Sequence, residues 1–161
     1  VLAALVPSGA VLGQDEVVSG TARAIDADML QFEDSKLRII LWGVDAPDRD
    51  QFCRLSGATF ACYEAAIRAL DTYASRGEVS CTLVGDPDPF RRRYGICTAE
   101  GDVNINDAMV REGLAFAFTP QSEDYKEAQE AAETAEVGLF QKGMKYELPW
   151  VARAKRNAGT R

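Results

Sequence analysis

Hydrophobic and polar positions alternate over three early stretches of the chain. Glu16–Ala24 is rich in Val and Thr, Asp28–Glu33 alternates, and Lys36–Trp42 alternates around the run LRIILW. Alternation with period two puts one face of each stretch on a core, so all three are expected to be β-strands. Asp34-Ser35 supplies a tight turn between the second and third, and Gly43 with Pro47 ends the third. From Thr59 to Ser75 the period lengthens. Tyr63, Ala66, Ile67, Leu70 and Tyr73 recur at helical spacing. Two more strands, Glu78–Val84 and Arg92–Ala99, flank the turn-rich GDPDP. Asn104 reads as the N-cap of a second helix carrying Ile105, Ala108 and Met109 and stopped by Gly113. Ala115–Phe118 is short and apolar. Ser122 reads as the cap of a third helix with Tyr125, Ala128, Ala132 and Ala135, ended by Gly138. Five strands and three interspersed helices, without internal repeats, predict an α+β domain around a small closed barrel.

Composition narrows the chemistry. With 161 residues, 47% of them hydrophobic, the chain can bury one substantial core. Eighteen Lys+Arg against 25 Asp+Glu leave a net charge of -7, a poor match for a protein that coats nucleic acid. Histidine is absent, which excludes a Ser-His-Asp triad, a Cys-His pair, histidine-ligated zinc and any histidine base. Acid–base work is left to carboxylates, Lys or Tyr. The charge is also uneven. Residues 141–161 hold Lys142, Lys145, Arg153, Lys155, Arg156 and Arg161 against the single acid Glu147. This basic C-terminal segment reads either as a solvated tail or as a contact for an anionic surface. The chain thus divides into an apolar stretch 1–14, a domain 15–140 and a basic segment 141–161.

Residues 1–14, VLAALVPSGAVLGQ, have the small apolar character of the tail of a secretory signal peptide. The alternative is a disordered or strand-forming N-terminus. The run is too short, and too interrupted by Pro7, to cross a bilayer. Cys53, Cys62, Cys81 and Cys97 form no C-x-x-C pair, which argues against zinc and thioredoxin chemistry. Of the three pairings four cysteines allow, Cys53–Cys62 and Cys81–Cys97 are favoured. The alternative is four buried thiols in a cytosolic protein. The export reading places the chain in a secreted or periplasmic setting, and it is expected to act as a monomer.

The segment Ile25–Asp48 carries the candidate chemistry. Asp26 and Asp28 sit at a hairpin corner, and Asp45 lies just past the third strand, followed by Pro47 and Asp48. A hairpin that brings Asp28 beside Asp45 would offer hard oxygen donors suited to Ca²⁺. Acids at such positions also serve simply as turn formers.

The order I-D-x-D-x-L, then W-G-V-D-A-P-D, an arginine cluster, V-R-E-G-L-A and E-V-G-L-F resembles the staphylococcal-nuclease-like (thermonuclease) family, from about Val17 to Pro149. The paired cysteines and the closing L-P-W are similar to its exported bacterial branch. The resemblance implies a five-stranded OB-fold barrel with three helices and Ca²⁺-dependent hydrolysis of DNA and RNA. It puts Asp28 and Asp45 at the family's metal aspartates, with the Ala46 carbonyl as a third ligand. Asp48 falls where the family has its catalytic glutamate. One of two phosphate-clamping arginines falls on Ile40. The other falls on Arg92, with Arg91 and Arg93 as rivals. Phe118 matches a base-stacking aromatic.

The departures weaken the same reaction. Ile40 cannot donate to a phosphate, and losing one preorganised donor costs on the order of 10²–10³ in rate. Asp48 is a methylene shorter than Glu, and a ~1 Å misplacement can cost about 10²-fold. The family's D-G-D-T reads Asp26-Ala27-Asp28-Met29 here. Arg38 shares a strand face with Ile40, about 6.6 Å away. It either reaches the phosphate or pairs with a surface acid such as Glu33. The expected function is a nuclease-family domain of strongly reduced hydrolysis. The alternatives are a non-catalytic OB-fold module for single-stranded nucleic acid, an oligosaccharide or a protein partner, and a structural envelope domain.

Overall fold

The alternating stretches become strands of one sheet in the computed structural model, which describes residues 15–159. The stretch 1–14, on which the signal-peptide reading falls, lies outside the described residues. In chain order the elements begin with β1 (Val17–Gly20), β2 (Ala22–Asp26), β3 (Met29–Phe32), β4 (Arg38–Leu41) and β5 (Val44–Asp45). They continue with β6 (Cys53–Leu55), β7 (Ala58–Phe60), α1 (Cys62–Ala74), β8 (Val79–Val84), β9 (Arg93–Ala99), β10 (Val103–Asn104) and α2 (Ile105–Arg111). The chain then forms β11 (Phe116–Ala117), α3 (Lys126–Thr134), a 3-10 turn at Gly138–Phe140, β12 (Met144–Lys145) and α4 (Pro149–Gly159).

The main sheet runs β1-β8-β9-β4-β3-β2, with β10 added on β9. Its pairings are antiparallel except β4 with β9, which lie parallel and set Ile40 opposite Tyr94. The α+β class stands, but two details differ from expectation. The sheet is an open path among the described residues, not a closed five-stranded barrel. The first alternating stretch breaks at Thr21, giving one half to β8 and the other to β3, and the two halves are chain neighbours without being paired. The described residues also form four α-helices rather than three, the extra one being α4.

The core lies between this sheet and α1 and α2. Leu30, Ile39, Leu41, Val79, Cys81 and Cys97 point inward from the strands and meet Ala66 and Leu70 of α1 and Ile105 and Met109 of α2. Burial alternates strictly along β8 and over most of β9, as the sequence pattern requires. Cys81 stands directly opposite Cys97 and is bonded to it, with 4.0 Å between the Cα atoms. Cys53 and Cys62 form the second disulfide. They belong to a smaller cluster with Phe116 and Leu139, against which Met144, Leu148 and Trp150 pack. Two disulfides fit an oxidising environment. No helix among the described residues is long and apolar enough to cross a membrane.

Local rules decide the helix ends. Asn104 caps α2, its side chain accepting from the Asp107 N–H at 3.1 Å. Ser122 does not cap a helix. Its Oγ accepts from the Asp124 N–H in a turn, and α3 begins only at Lys126. The first helix starts at Cys62 rather than Thr59 because Ala58–Phe60 pairs with β6. Gly113 and Gly138, both at positive φ, let the turn after α2 touch the 3-10 turn, and the Leu139 N–H donates to the Gly113 carbonyl at 2.7 Å.

A Cβ at position 138 would lie 2.2 Å from the Gly113 carbonyl oxygen. Gly138→Ala therefore combines left-handed strain of about 1–3 kcal/mol with a backbone clash. A fall in unfolding free energy beyond about 2 kcal/mol is expected in urea denaturation.

Candidate functional site

The β2–β3 hairpin makes the acidic corner. A register shift between Ala24 and Asp26 turns the chain there, and the Asp28 carbonyl accepts from the Leu41 N–H at 2.9 Å. That bond ties the corner to the end of β4. Asp45 is set by the short pairing of β5 with β11, where it lies opposite Phe116. Between β4 and β5, Gly43 at φ +71° closes the turn. A Cβ there would meet the Tyr125 ring at 2.8 Å, so only glycine fits. The Gly43 N–H donates to Gln121 Oε1 at 3.0 Å, and its carbonyl accepts from the Phe118 N–H at 2.8 Å.

These elements enclose a cavity of about 340 Å³. Asp26, Asp28, Asp45 and Asp48 line it together with Arg92, Arg153, Met29, Ile40, Tyr94 and Phe118. Asp45 is only 4% exposed. Burial raises its carboxyl above the usual range, and the hydrogen bond and charge of Arg153 pull against that rise. The Asp28 carboxyl is pushed up to about 7, first by loss of water and then by the charges of Asp45 and Asp26. Arg153 and the Ala46 N–H act in the opposite direction on it.

The three clustered arginines separate. Arg92 lines the cavity, with its Nε on Asp88 Oδ2 at 2.6 Å and its guanidinium over the Phe90 ring at 5.3 Å. Arg93 turns to Glu16 at 3.0 Å and to the Gly85 carbonyl. Arg91 is exposed on the turn at positive φ. Arg38 shares a face with Ile40 but does not line the cavity. The parallel pairing of β4 with β9 brings the turn before β9 alongside it, and its guanidinium donates to the Phe90 carbonyl at 3.0 Å. In this structure its guanidinium therefore rests on the Phe90 carbonyl rather than on Glu33.

The C-terminal segment departs most from expectation. Its described part includes α4, which docks on the rim. Arg153 donates through Nη2 to Asp45 Oδ2 at 2.5 Å and through Nη1 to Asp48 Oδ1 at 2.8 Å. Arg156 pairs with the other Asp48 oxygen and lies 3.6 Å from Asp50. Trp150 packs on Phe118, with ring centres 5.2 Å apart, and edge-on against Phe116. Gln51 accepts from the Asp48 N–H and donates to the Glu147 carbonyl, fastening the approach to α4. A signal for this helix was present in the sequence. Pro149 suits a first helical position, and Trp150, Arg153 and Arg156 recur every three residues, on one face of any helix that follows.

The donor set does not fit a calcium ion while α4 is docked. Ca²⁺ takes six to eight oxygens at about 2.3–2.6 Å. An Asp45 oxygen and both Asp48 oxygens instead accept from guanidinium groups. Among the described residues, no three His, Cys, Asp or Glu side chains gather into a metal-holding group.

The family model described as staphylococcal nuclease homologue matches residues 38–142. The match takes in Ile40, Asp45, Asp48, Arg92 and Phe118, and leaves Asp28 and α4 outside. A search of curated proteins gives no match.

The raised Asp28 carboxyl gives stability a pH dependence. Its folded-state pKa lies above the ordinary value, so the contribution is full below the ordinary carboxylate range and is lost as pH rises through about 7. Asp28→Asn, neutral at every pH, is expected to raise the melting temperature at pH 8 by several degrees, at about 2–4 °C per kcal/mol, and to change it little at pH 4. Thermal unfolding in chelator at the two pH values checks this, and an equal effect at both would contradict it.

Proposed function

The chain belongs to the staphylococcal nuclease homologues, and from that premise we propose a secreted or periplasmic nuclease-family domain whose own phosphodiester hydrolysis is strongly reduced. The observation that carries this reading is Ile40 in the wall of the acidic cavity. Phosphodiester hydrolysis builds negative charge on the phosphate oxygens, and a catalyst meets it with preorganised donors. An isoleucine side chain offers none. Arg92 remains as a phosphate donor, already engaged by Asp88. Asp48 holds the place of a base, but both its oxygens accept from Arg153 and Arg156. A carboxylate so engaged has fewer free lone pairs with which to orient a water.

The cavity walls still suit a nucleic-acid fragment. Tyr94 and the part of Phe118 that Trp150 leaves on the cavity offer aromatic surface to bases or sugars, and Arg92 offers a cation to a phosphate. These residues favour a second reading, in which the domain holds single-stranded nucleic acid without cutting it. The two disulfides support the compartment assigned here.

Hydrolysis of denatured DNA is expected to run at least about 100-fold below that of an ordinary family member, in Ca²⁺ as in EGTA. Comparable turnover would defeat the reading. In an Arg153→Gln background, which frees the acids, adding Ile40→Arg is expected to raise turnover by roughly tenfold or more. Fluorescence anisotropy with a short single-stranded oligonucleotide separates the two readings. Salt-sensitive binding without turnover supports the second.

A further inference from the structure

The rim is closed by its own chain. One guanidinium spans two carboxylates three residues apart, Asp45 through Nη2 and Asp48 through Nη1. That uses the planar fork of arginine in a way a lysine cannot reproduce. Arg156 meets the remaining Asp48 oxygen, so two positive charges answer two negative ones at the mouth of the cavity. The contact is seated rather than incidental. Trp150 rests on Phe118, Pro149 and Ala152 are buried, and Glu147 is fastened to Gln51.

We infer that Arg153 is a resident counter-cation: it takes the place beside Asp45 and Asp48 that a divalent ion would need, so that docking of α4 and binding of a cation exclude one another. The physical case is direct. Asp45 is buried and needs a positive partner. A divalent ion on that Asp45 oxygen would stand against a guanidinium held 2.5 Å from it, and two cations so close repel, so they compete for the carboxylate. Displacing Arg153 also means undocking Trp150 from Phe118, so the aromatic wall and the acids open together. The consequence is a domain whose Asp45 and Asp48 are charge-balanced without metal, and whose cation affinity is set by how firmly α4 is held.

The inference rests on reading Asp45 and Asp48 as acids of the family's site. Its test involves no hydrolysis, so a failure here leaves the turnover comparison standing. The full chain is titrated with Ca²⁺ by calorimetry, with thermal unfolding in chelator and in millimolar Ca²⁺ as a second readout. In the wild type, little heat and no Ca²⁺-dependent rise in melting temperature are expected. Arg153→Gln removes the charge, and it is expected to bind Ca²⁺ roughly tenfold more tightly or better and to regain in Ca²⁺ the stability it loses in chelator. Arg153→Lys keeps the charge and is expected to stay nearer the wild type. Equal Ca²⁺ affinity in wild type and Arg153→Gln overturns the inference, and so does absence of binding in both. Should Arg153→Gln fail to fold by circular dichroism, Trp150→Ala, which loosens α4 without touching the acids, is expected to show the same gain. Absence of that gain overturns the inference.

Discussion

A carboxylate as deeply covered as Asp45 must be neutralised, and the arrangement of the rim follows from how that is done. Removing a charge from water costs several kcal/mol unless a partner with good geometry compensates. Arg153 is that partner. Because it lies on α4, neutralising Asp45 also fixes where the C-terminal helix goes, what covers Phe118, and which oxygens of Asp48 are engaged. The pair is not an ordinary surface ion pair, of which many contribute little. Its acid sits inside the protein while its guanidinium remains partly exposed.

Much of the fold was legible because each strand stretch is half-buried and alternates accordingly. The strands around Leu30, Ile39, Val79 and Cys97, the α2 cap at Asn104 and the two cysteine pairs all express short-range rules. Closure of the sheet was not legible, because it depends on how one alternating stretch divides at Thr21 between two partners. The start of α3 was misplaced for a similar reason. Ser122 is a good capping residue in isolation, but the chain uses it in a turn whose carbonyl anchor is Phe118.

The site was legible in its acids and opaque in its cations. Asp28 and Asp45 line one cavity because a hairpin corner and a strand end are local features. Cations are long side chains, and their ends go wherever an acceptor waits. Arg38 was drawn to the Phe90 carbonyl and Arg93 to Glu16, although strand alternation alone placed the first beside Ile40. Arg153 came from a segment whose composition suggested solvent. Its partners lie more than a hundred positions away, a distance over which periodicity carries no information. The match to the nuclease homologues stops at residue 142, so the family pattern does not reach the helix that occupies the site.

That separation has a consequence for how the molecule is assembled. Asp45 and Arg153 are 108 positions apart, and every strand of the main sheet precedes Arg153 in the chain. A ribosome delivers the complete β-scaffold before it delivers the countercharge. Joining such distant positions adds little to the entropy of loop closure, which grows only with the logarithm of length, but it comes late in any vectorial order of synthesis. The acids of the rim are thus made well before the guanidinium that answers them. In that order the helix meets a sheet whose strands have all been made before it.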